Sequence, residues 1–264
     1  MSESDGPVFP WQDINVLGMR VAATNIPELL TVCDDVIANG QSLSVAFTGV
    51  HGVMEAQDST EVREVLSGVS VCVPDGMPLV VIGRSVHGVK SMDRCYGPDF
   101  MLAMMEHSLT RGYRHFFFGG TEGVADDLQR AMEARFPGLR VVGTHTPPFR
   151  PLTEAELDVL DDRLKALKPD CFWVGISTPK QERFMYENLQ RLSVSTMFGV
   201  GAAFDFHTGR VKQAPRWMQR MCLEWLYRAC SEPRRLMGRY VKNNPRFMWR
   251  YFLQLTKHRQ YPLD

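Results

Sequence analysis

Residues 69–83 read VSVCVPDGMPLVVIG. A β-branched run ends at Val73, Pro74-Asp75-Gly76 interrupts it, and a new apolar segment opens at Met77. Val favours the pleated backbone, and Pro and Gly end it. The stretch therefore reads as a buried strand closing in a tight turn before a helix, with a carboxylate presented in the turn. In open α/β sheets ligands bind just beyond the carboxyl ends of the strands. Asp75 is thus the first candidate for chemistry, as a base that takes a proton from a hydroxyl nucleophile. Spacing alone leaves a second reading open, because Pro-Asp-Gly is also a common turn for purely conformational reasons.

The same alternation extends along most of the chain. Ile14–Val21 reads as a first strand and Pro27 opens a helical stretch to Gly40. Leu43–Thr48 is a strand, followed by a loop, Gly49-Val50-His51-Gly52, and a helix over 53–67. After an irregular segment, 84–97, Pro98 starts a helix that ends near Gly112. Strands follow at 114–118, 139–143, 171–175 and 194–200. Helices separate them, one opened by the Thr153/Glu156 capping box and one by Ser177-Thr178-Pro179-Lys180-Gln181-Glu182. Such a pattern predicts an α/β fold: a parallel sheet with right-handed crossovers and helices on both faces.

Beyond about residue 207 helical spacing takes over. Trp217, Met218, Met221, Cys222, Trp225, Leu226 and Ala229 recur at that spacing, and Arg216, Arg220, Glu224 and Arg228 occupy every fourth position. Pro233 and Pro245 are expected to start two further helices. The chain thus divides into a core, residues 1–207, and a basic helical appendage, residues 208–264.

The net charge is zero over 264 residues. It conceals an asymmetry. Residues 207–264 hold ten Arg and three Lys against Glu224, Glu232 and Asp264, a net +10, and the rest balances it with −10. That distribution points to a polyanionic partner for the C-terminal segment. Three readings of its Trp, Met and Arg pattern stand side by side: contact with an anionic membrane surface, RNA binding through Arg and aromatic stacking, or a packed helical subdomain with a charged exterior. The six cysteines form no C-x-x-C pair, and most sit in apolar runs, as buried cytosolic thiols do. No signal peptide is visible in MSESDGPVFPWQD, and no apolar run approaches the roughly 18 residues that cross a bilayer.

Three strand ends are glycine-rich: Gly119-Gly120, Gly175 and Gly199-Val200-Gly201. They are candidates for close backbone approach to a phosphate or nucleotide, or they are simple turns. The G-x-G-x-x-G and G-x-x-x-x-G-K-[ST] fingerprints are absent. Arg94 can clamp a phosphate or form an ion pair, and Gln181 can bind a sugar or base edge or lie on a solvated helix. Seven histidines show no metal-ligand spacing and D-x-D does not occur, so a cationic clamp, not a divalent metal, is expected on a diphosphate.

PDGMPLV, RCYGPDFM, FFFGGTEGVADDL, STPKQE, the run from Gly199 to Tyr240 containing GAAFDF, APRWMQR, EWLYR and EPRR, and NNPRF occur in this order. Together they resemble the WecG/TagA/CpsF glycosyltransferases (glycosyltransferase family 26), over roughly residues 40–250. The resemblance implies a Rossmann-like core with a C-terminal appendage that closes over the site and touches the membrane. It implies inverting, metal-independent transfer of a sugar from a UDP-sugar to a polyprenyl-diphosphate-linked saccharide, in the building of bacterial surface or exopolysaccharides. No cofactor and no nucleic acid belong to that reaction, and homo-oligomerisation stays open. The implied location is the cytoplasmic face of the inner membrane, as a peripheral protein. The family's base falls on Asp75, its Arg on Arg94, its Gln on Gln181 and its strand-end Thr on Thr48. Its appendage arginines fall in the region of Arg216, Arg220, Arg228, Arg234, Arg235 and Arg239. One departure stands out: many members read T-x-N where this chain reads Thr48-Gly49-Val50-His51. That loop is expected to help recognise donor or acceptor, which leaves the sugar open between N-acetylmannosamine and a hexose such as glucose. A non-catalytic, membrane-associated nucleotide-sugar-binding protein is the alternative on the same fold.

Overall fold

The computed structural model describes residues 6–263. Six strands form one parallel sheet: β3 (Leu43–Thr48), β4 (Val71–Pro74), β5 (Arg114–Gly119), β6 (Arg140–His145), β7 (Cys171–Gly175) and β8 (Thr196–Gly199), in the order β4-β3-β8-β7-β5-β6. Successive strand side chains point to opposite faces, and the apolar runs divide accordingly. Phe116 and Phe118 of β5 enter one core with Phe172 and Val174 of β7; Phe117, Cys171 and Trp173 enter the other. Every residue of β3 is buried, as befits a strand covered on both sides.

On the face with Phe116 lie α2 (Val50–Asp58), α3 (Thr60–Gly68), α4 (Met77–Ser85), α7 (Glu154–Leu167) and α8 (Lys180–Asn188). On the face with Phe117 lie α1 (Ile26–Ala38), α5 (Gly97–Arg111), α6 (Val124–Arg135) and α9 (Ala203–His207). The Thr153/Glu156 capping box opens α7, and Gly112 closes α5 in a left-handed conformation. The α/β expectation is met. From α9 onward the described chain is helical: α10 (Arg216–Arg220), α11 (Glu224–Ser231) and α12 (Pro233–Leu255).

Three expectations are corrected. Residues 14–21 are not one strand but a hairpin, β1 (Asp13–Val16) and β2 (Met19–Ala22), outside the main sheet. Leu17 and Gly18 turn it with φ of 54° and 80°, the paired positive values of a two-residue hairpin turn. The helix expected over 53–67 is two. Ser59 is extended, and its hydroxyl accepts the Val62 N–H at 3.3 Å, so it ends α2 and caps α3. His51 consequently lies in the first turn of α2 and not in a loop. Finally, Pro245 sits inside α12 and does not start a helix. Proline leaves the Val241 carbonyl without its helical donor, and Val241 is 63% exposed, so water can take that place.

The C-terminal chain is fastened to the core. Phe247, Tyr251 and Tyr261 join the core on the α2 side. Arg246 pairs with Asp58 through both guanidinium nitrogens, and Lys242 reaches the same carboxylate at 3.1 Å. Gln254 accepts the Leu17 N–H at 2.8 Å and donates to the Asn15 carbonyl at 3.1 Å, locking α12 to the β1–β2 hairpin.

Candidate active site

The segment after β3 enters α2 on one face of the sheet, and the segment after the adjacent β8 enters α9 on the other. Their divergence opens a crevice at the carboxyl ends of β4, β3 and β8. A cavity of about 720 Å³ occupies it, roofed by α11 and α12.

Asp75 lies on its wall. The Asp75 N–H donates to the Thr48 carbonyl at 2.9 Å, continuing the β3–β4 ladder by one residue. Gly76 follows as the cap of α4 and packs backbone-to-backbone against Gly49; a Cβ on Gly76 would lie 3.5 Å from the Gly49 Cα. The turn is thus fixed by the strand on one side and a close loop contact on the other. The carboxylate Oδ1 accepts the Gly97 N–H at 2.9 Å, at the start of the 15-residue α5, where the helix dipole favours an anion. Burial is the larger influence and raises the Asp75 pKa to about 6, with Arg94 pulling the other way. A carboxylate poised near neutrality and facing a cavity suits proton abstraction.

Arg94 is placed differently from a free phosphate clamp. Its Nε donates to the Asp75 carbonyl, Nη1 to Gln219 Oε1 at 3.1 Å and Nη2 to Glu224 Oε2. Its guanidinium stacks over the Tyr96 ring at 3.8 Å, and the Tyr96 hydroxyl donates to Glu224 Oε1 at 3.0 Å. Arg94 therefore links the backbone of the catalytic candidate to α10 and α11. The signal for Glu224 was present in the sequence: it is the one acid in the every-fourth-residue stripe with Arg216, Arg220 and Arg228.

The cavity collects Thr48, Asp75, Arg94, Gln181, Gly199, Gly201, Arg228 and Arg235 from the sequence-derived candidates, together with Arg239. Arg228 stands on α11, and Arg235 and Arg239 are one turn apart on α12; Arg235 and Arg228 share Glu232, at 2.6 and 3.9 Å, so the three arginines leave the roof a net cationic face. Arg228 Nε and Arg239 Nε are buried without a partner. Gly119, Gly120, Arg216, Arg220 and Arg234 lie outside the lining. Gly119 (φ 140°) packs against Gly175, where a Cβ would come within 2.6 Å of that backbone, so this pair joins the ends of β5 and β7. Arg216 makes a two-pronged pair with Asp99, and Arg220 and Arg234 are exposed.

Val50 and His51, which stand in the departing loop motif, both line the cavity. His51 Nδ1 lies 3.3 Å from Asn243 Nδ2 of α12. Burial, then Arg239 and Lys242, lower the His51 pKa to about 4, so the ring is neutral at pH 7. Asn243 is 3% exposed and its Oδ1 has no partner. Asn243, Gln219 and Tyr96 are site residues that spacing did not single out, because each acquires its place only through packing of the C-terminal helices. Among the described residues no group of three or more His, Cys, Asp or Glu is placed to hold a metal ion.

The sequence model described as "Glycosyl transferase WecG/TagA/CpsF family" matches residues 14–261. Among curated proteins, the chain is 26% identical over 204 residues to the N-acetylglucosaminyldiphosphoundecaprenol N-acetyl-beta-D-mannosaminyltransferase of Bacillus spizizenii (strain ATCC 23059 / NRRL B-14472 / W23), covering 77% of this chain and 72% of that protein. The carboxylate turn, the cationic roof and a match over nearly the whole length agree, and the chain belongs to the WecG/TagA/CpsF family of glycosyltransferases.

Proposed function

We propose that the protein transfers a hexose or N-acetylhexosamine, from UDP-N-acetylmannosamine or UDP-glucose, to a polyprenyl-diphosphate-linked saccharide with inversion. The observation that carries this reading is the opposition within one cavity of a carboxylate with a raised pKa, Asp75, and the cations Arg228, Arg235 and Arg239. Asp75 takes the proton of an acceptor hydroxyl. The freed oxygen attacks C1 of the donor sugar from the side opposite the diphosphate. The C1–O bond breaks, its electron pair goes to the UDP oxygen, and the arginines meet the charge that develops there. Arg94 and Glu224 hold the roof helices against the Asp75 turn, so the base and the cations are presented together.

The acceptor's lipid suggests where the cavity opens. Val81, Met248, Phe252 and Leu255 line it and are also 46%, 72%, 52% and 47% exposed, forming an apolar lip. Trp249 (61%) and Val241 (63%) extend that lip along α12, beside Lys242, Arg246 and Arg250. An amphipathic helix with basic flanks suits the surface of an anionic membrane. No helix among the described residues is long and apolar enough to cross a membrane. We place the protein at the cytoplasmic face of the inner membrane as a peripheral enzyme. The choice of sugar is assigned to the wall made by His51 and Asn243.

The test is turnover of UDP-N-acetylmannosamine and UDP-glucose with an N-acetylglucosamine-diphosphate-polyprenyl acceptor, the product linkage being read by NMR. A product of inverted anomeric configuration is expected. Retention of configuration, or UDP binding without turnover on any lipid-linked acceptor, would contradict the proposal.

A further inference from the structure

The segment before α5 is laid along the Asp75 turn. The Cys95 N–H donates to the Pro74 carbonyl at 2.9 Å, and the Gly97 N–H to Asp75 Oδ1 at 2.9 Å. Arg94, just before them, is folded back, its Nε bonded to the carbonyl of Asp75 itself. A guanidinium so close to a carboxylate ordinarily takes it as an ion pair. Two aspartates of this chain show that outcome. Arg216 grips Asp99, in the first turn of α5, through both terminal nitrogens. Arg246 grips Asp58 in the same way and holds its carboxyl far below the ordinary value. A carboxylate held so is a weak base.

Asp75 is held otherwise. Among the described residues, the Arg94 guanidinium bonds to the Asp75 carbonyl, to Gln219 and to Glu224, and to no carboxylate oxygen of Asp75. Glu224 is the charged partner of the three. Its Oε2 takes Arg94 Nη2 and its Oε1 takes the Tyr96 hydroxyl at 3.0 Å, while the Tyr96 ring lies 3.8 Å from the guanidinium carbon. Tyr96 is buried, so ring and carboxylate together fix the plane of the cation. The two charges act on Asp75 in opposite directions, Arg94 lowering its pKa and Glu224 raising it. Around Asp75 stand also Cys95, from the same segment, and Arg228, one turn after Glu224 on α11. Arg235 and Arg239 of α12, His51 of α2 and Cys222 between α10 and α11 line the same cavity.

We propose that Glu224 is a positioning residue for the base: by drawing the Arg94 guanidinium onto α11 it keeps that cation from pairing with the Asp75 carboxylate, which stays able to take a proton from the acceptor. The proposal rests on the reading of Asp75 as the general base. Arg94 then fixes the backbone of the turn without quenching its side chain. Because Glu224 comes from α11, base and roof are matched: the carboxylate keeps its basicity where the roof supplies the counter-charge to Arg94.

The experiment is NMR titration of the Asp75 carboxyl carbon in the full, isotope-labelled chain, with the pH profile of sugar transfer measured on the same preparations; Asp75→Asn identifies the resonance. Glu224→Gln keeps an acceptor oxygen for Arg94 and loses the charge, and Arg94→Gln with Glu224→Gln removes both charges. In Glu224→Gln the Asp75 midpoint and the rising limb of kcat/KM are expected to move down by about one pH unit, with the plateau lowered about tenfold. The double variant is expected to return the midpoint to within about half a pH unit of wild type. A midpoint unmoved in Glu224→Gln overturns the proposal, even where the rate falls at every pH, because a merely structural loss does only that. If Glu224→Gln fails to fold, as judged by thermal melting, Arg94→Gln is compared with the double variant. A lower midpoint in the double variant supports the role of the Glu224 charge, and equal midpoints overturn it. A carboxyl midpoint that moves while the rate limb stays overturns Asp75 as the base, a failure distinct from that of the Arg94–Glu224 contact, which the carboxyl titration reads without turnover.

Discussion

Asp75 sits under two opposing influences, and the balance is visible in its pKa of about 6. Burial disfavours the charge, while Arg94 and the Gly97 N–H favour it. Two pH predictions follow from the sign of that balance. The base form grows as pH rises through about 6, so kcat/KM should rise along that limb and reach a plateau above it. For stability, an acid whose folded-state pKa exceeds its ordinary value of 3.8 holds its proton more tightly when folded. Its contribution is complete below about pH 4 and is lost as pH climbs through about 6. Asp75→Asn cannot ionise and still accepts the Gly97 N–H. It should therefore be more stable than wild type at pH 8, by up to about 3 kcal/mol, with the difference fading below pH 4; chemical denaturation at the two pH values checks this. At this scale the sequence was informative about Asp75, whose Pro and Gly neighbours marked the turn. It was silent on Arg94's partners, since Gln219 and Glu224 lie more than a hundred residues away and reach it only through tertiary packing.

Among elements, the junction between the α5 entry and α11 is the most exposed to test. Glu224 and Arg94 are 17% and 12% exposed, and removing one leaves the other charge uncompensated. Glu224→Ala is expected to cost about 2–4 kcal/mol in unfolding free energy. The Arg94→Ala/Glu224→Ala pair should cost clearly less than the sum of the single changes, as a double-mutant cycle measures. The lip of α12 offers a separate test. Met248→Glu with Phe252→Glu should reduce sedimentation with anionic vesicles by about tenfold or more. Equal vesicle binding would remove α12 from the membrane reading. Truncation at residue 208 is a poorer experiment, because Phe247, Tyr251 and Tyr261 belong to the main core. Element boundaries were legible where a cap or a breaker agreed with the hydrophobic period, as at Thr153 and Gly112. They were missed at Ser59, where one polar residue both ends and starts a helix. They were missed again at Pro245, which lies inside α12 and does not start a helix.

For the molecule as a whole, the sheet was readable because its strands are short apolar runs closed by glycine or proline. Strand order was not, since β8 inserts between β3 and β7 and only the folded register reveals that neighbourhood. The site depends on this order: β4, β3 and β8 together carry Asp75, Thr48 and the Gly199–Gly201 turn. The charge asymmetry also acts at this scale. A C-terminal segment of +10 set against a core of −10 should make vesicle binding weaken as salt rises from about 0.05 to 0.5 M, over which screening shortens several-fold. The Asp75 turn beneath the arginine roof is where the core and the C-terminal helices meet. The decisive measurement is sugar transfer from UDP-N-acetylmannosamine or UDP-glucose, whichever the wild type turns over, to a lipid-linked N-acetylglucosamine acceptor by Asp75→Asn, with UDP affinity measured on the same preparation. Loss of a general base predicts a fall in kcat of about 10²–10⁴ with UDP affinity within about twofold of wild type. Turnover within about tenfold of wild type would contradict the assignment of Asp75 as the base.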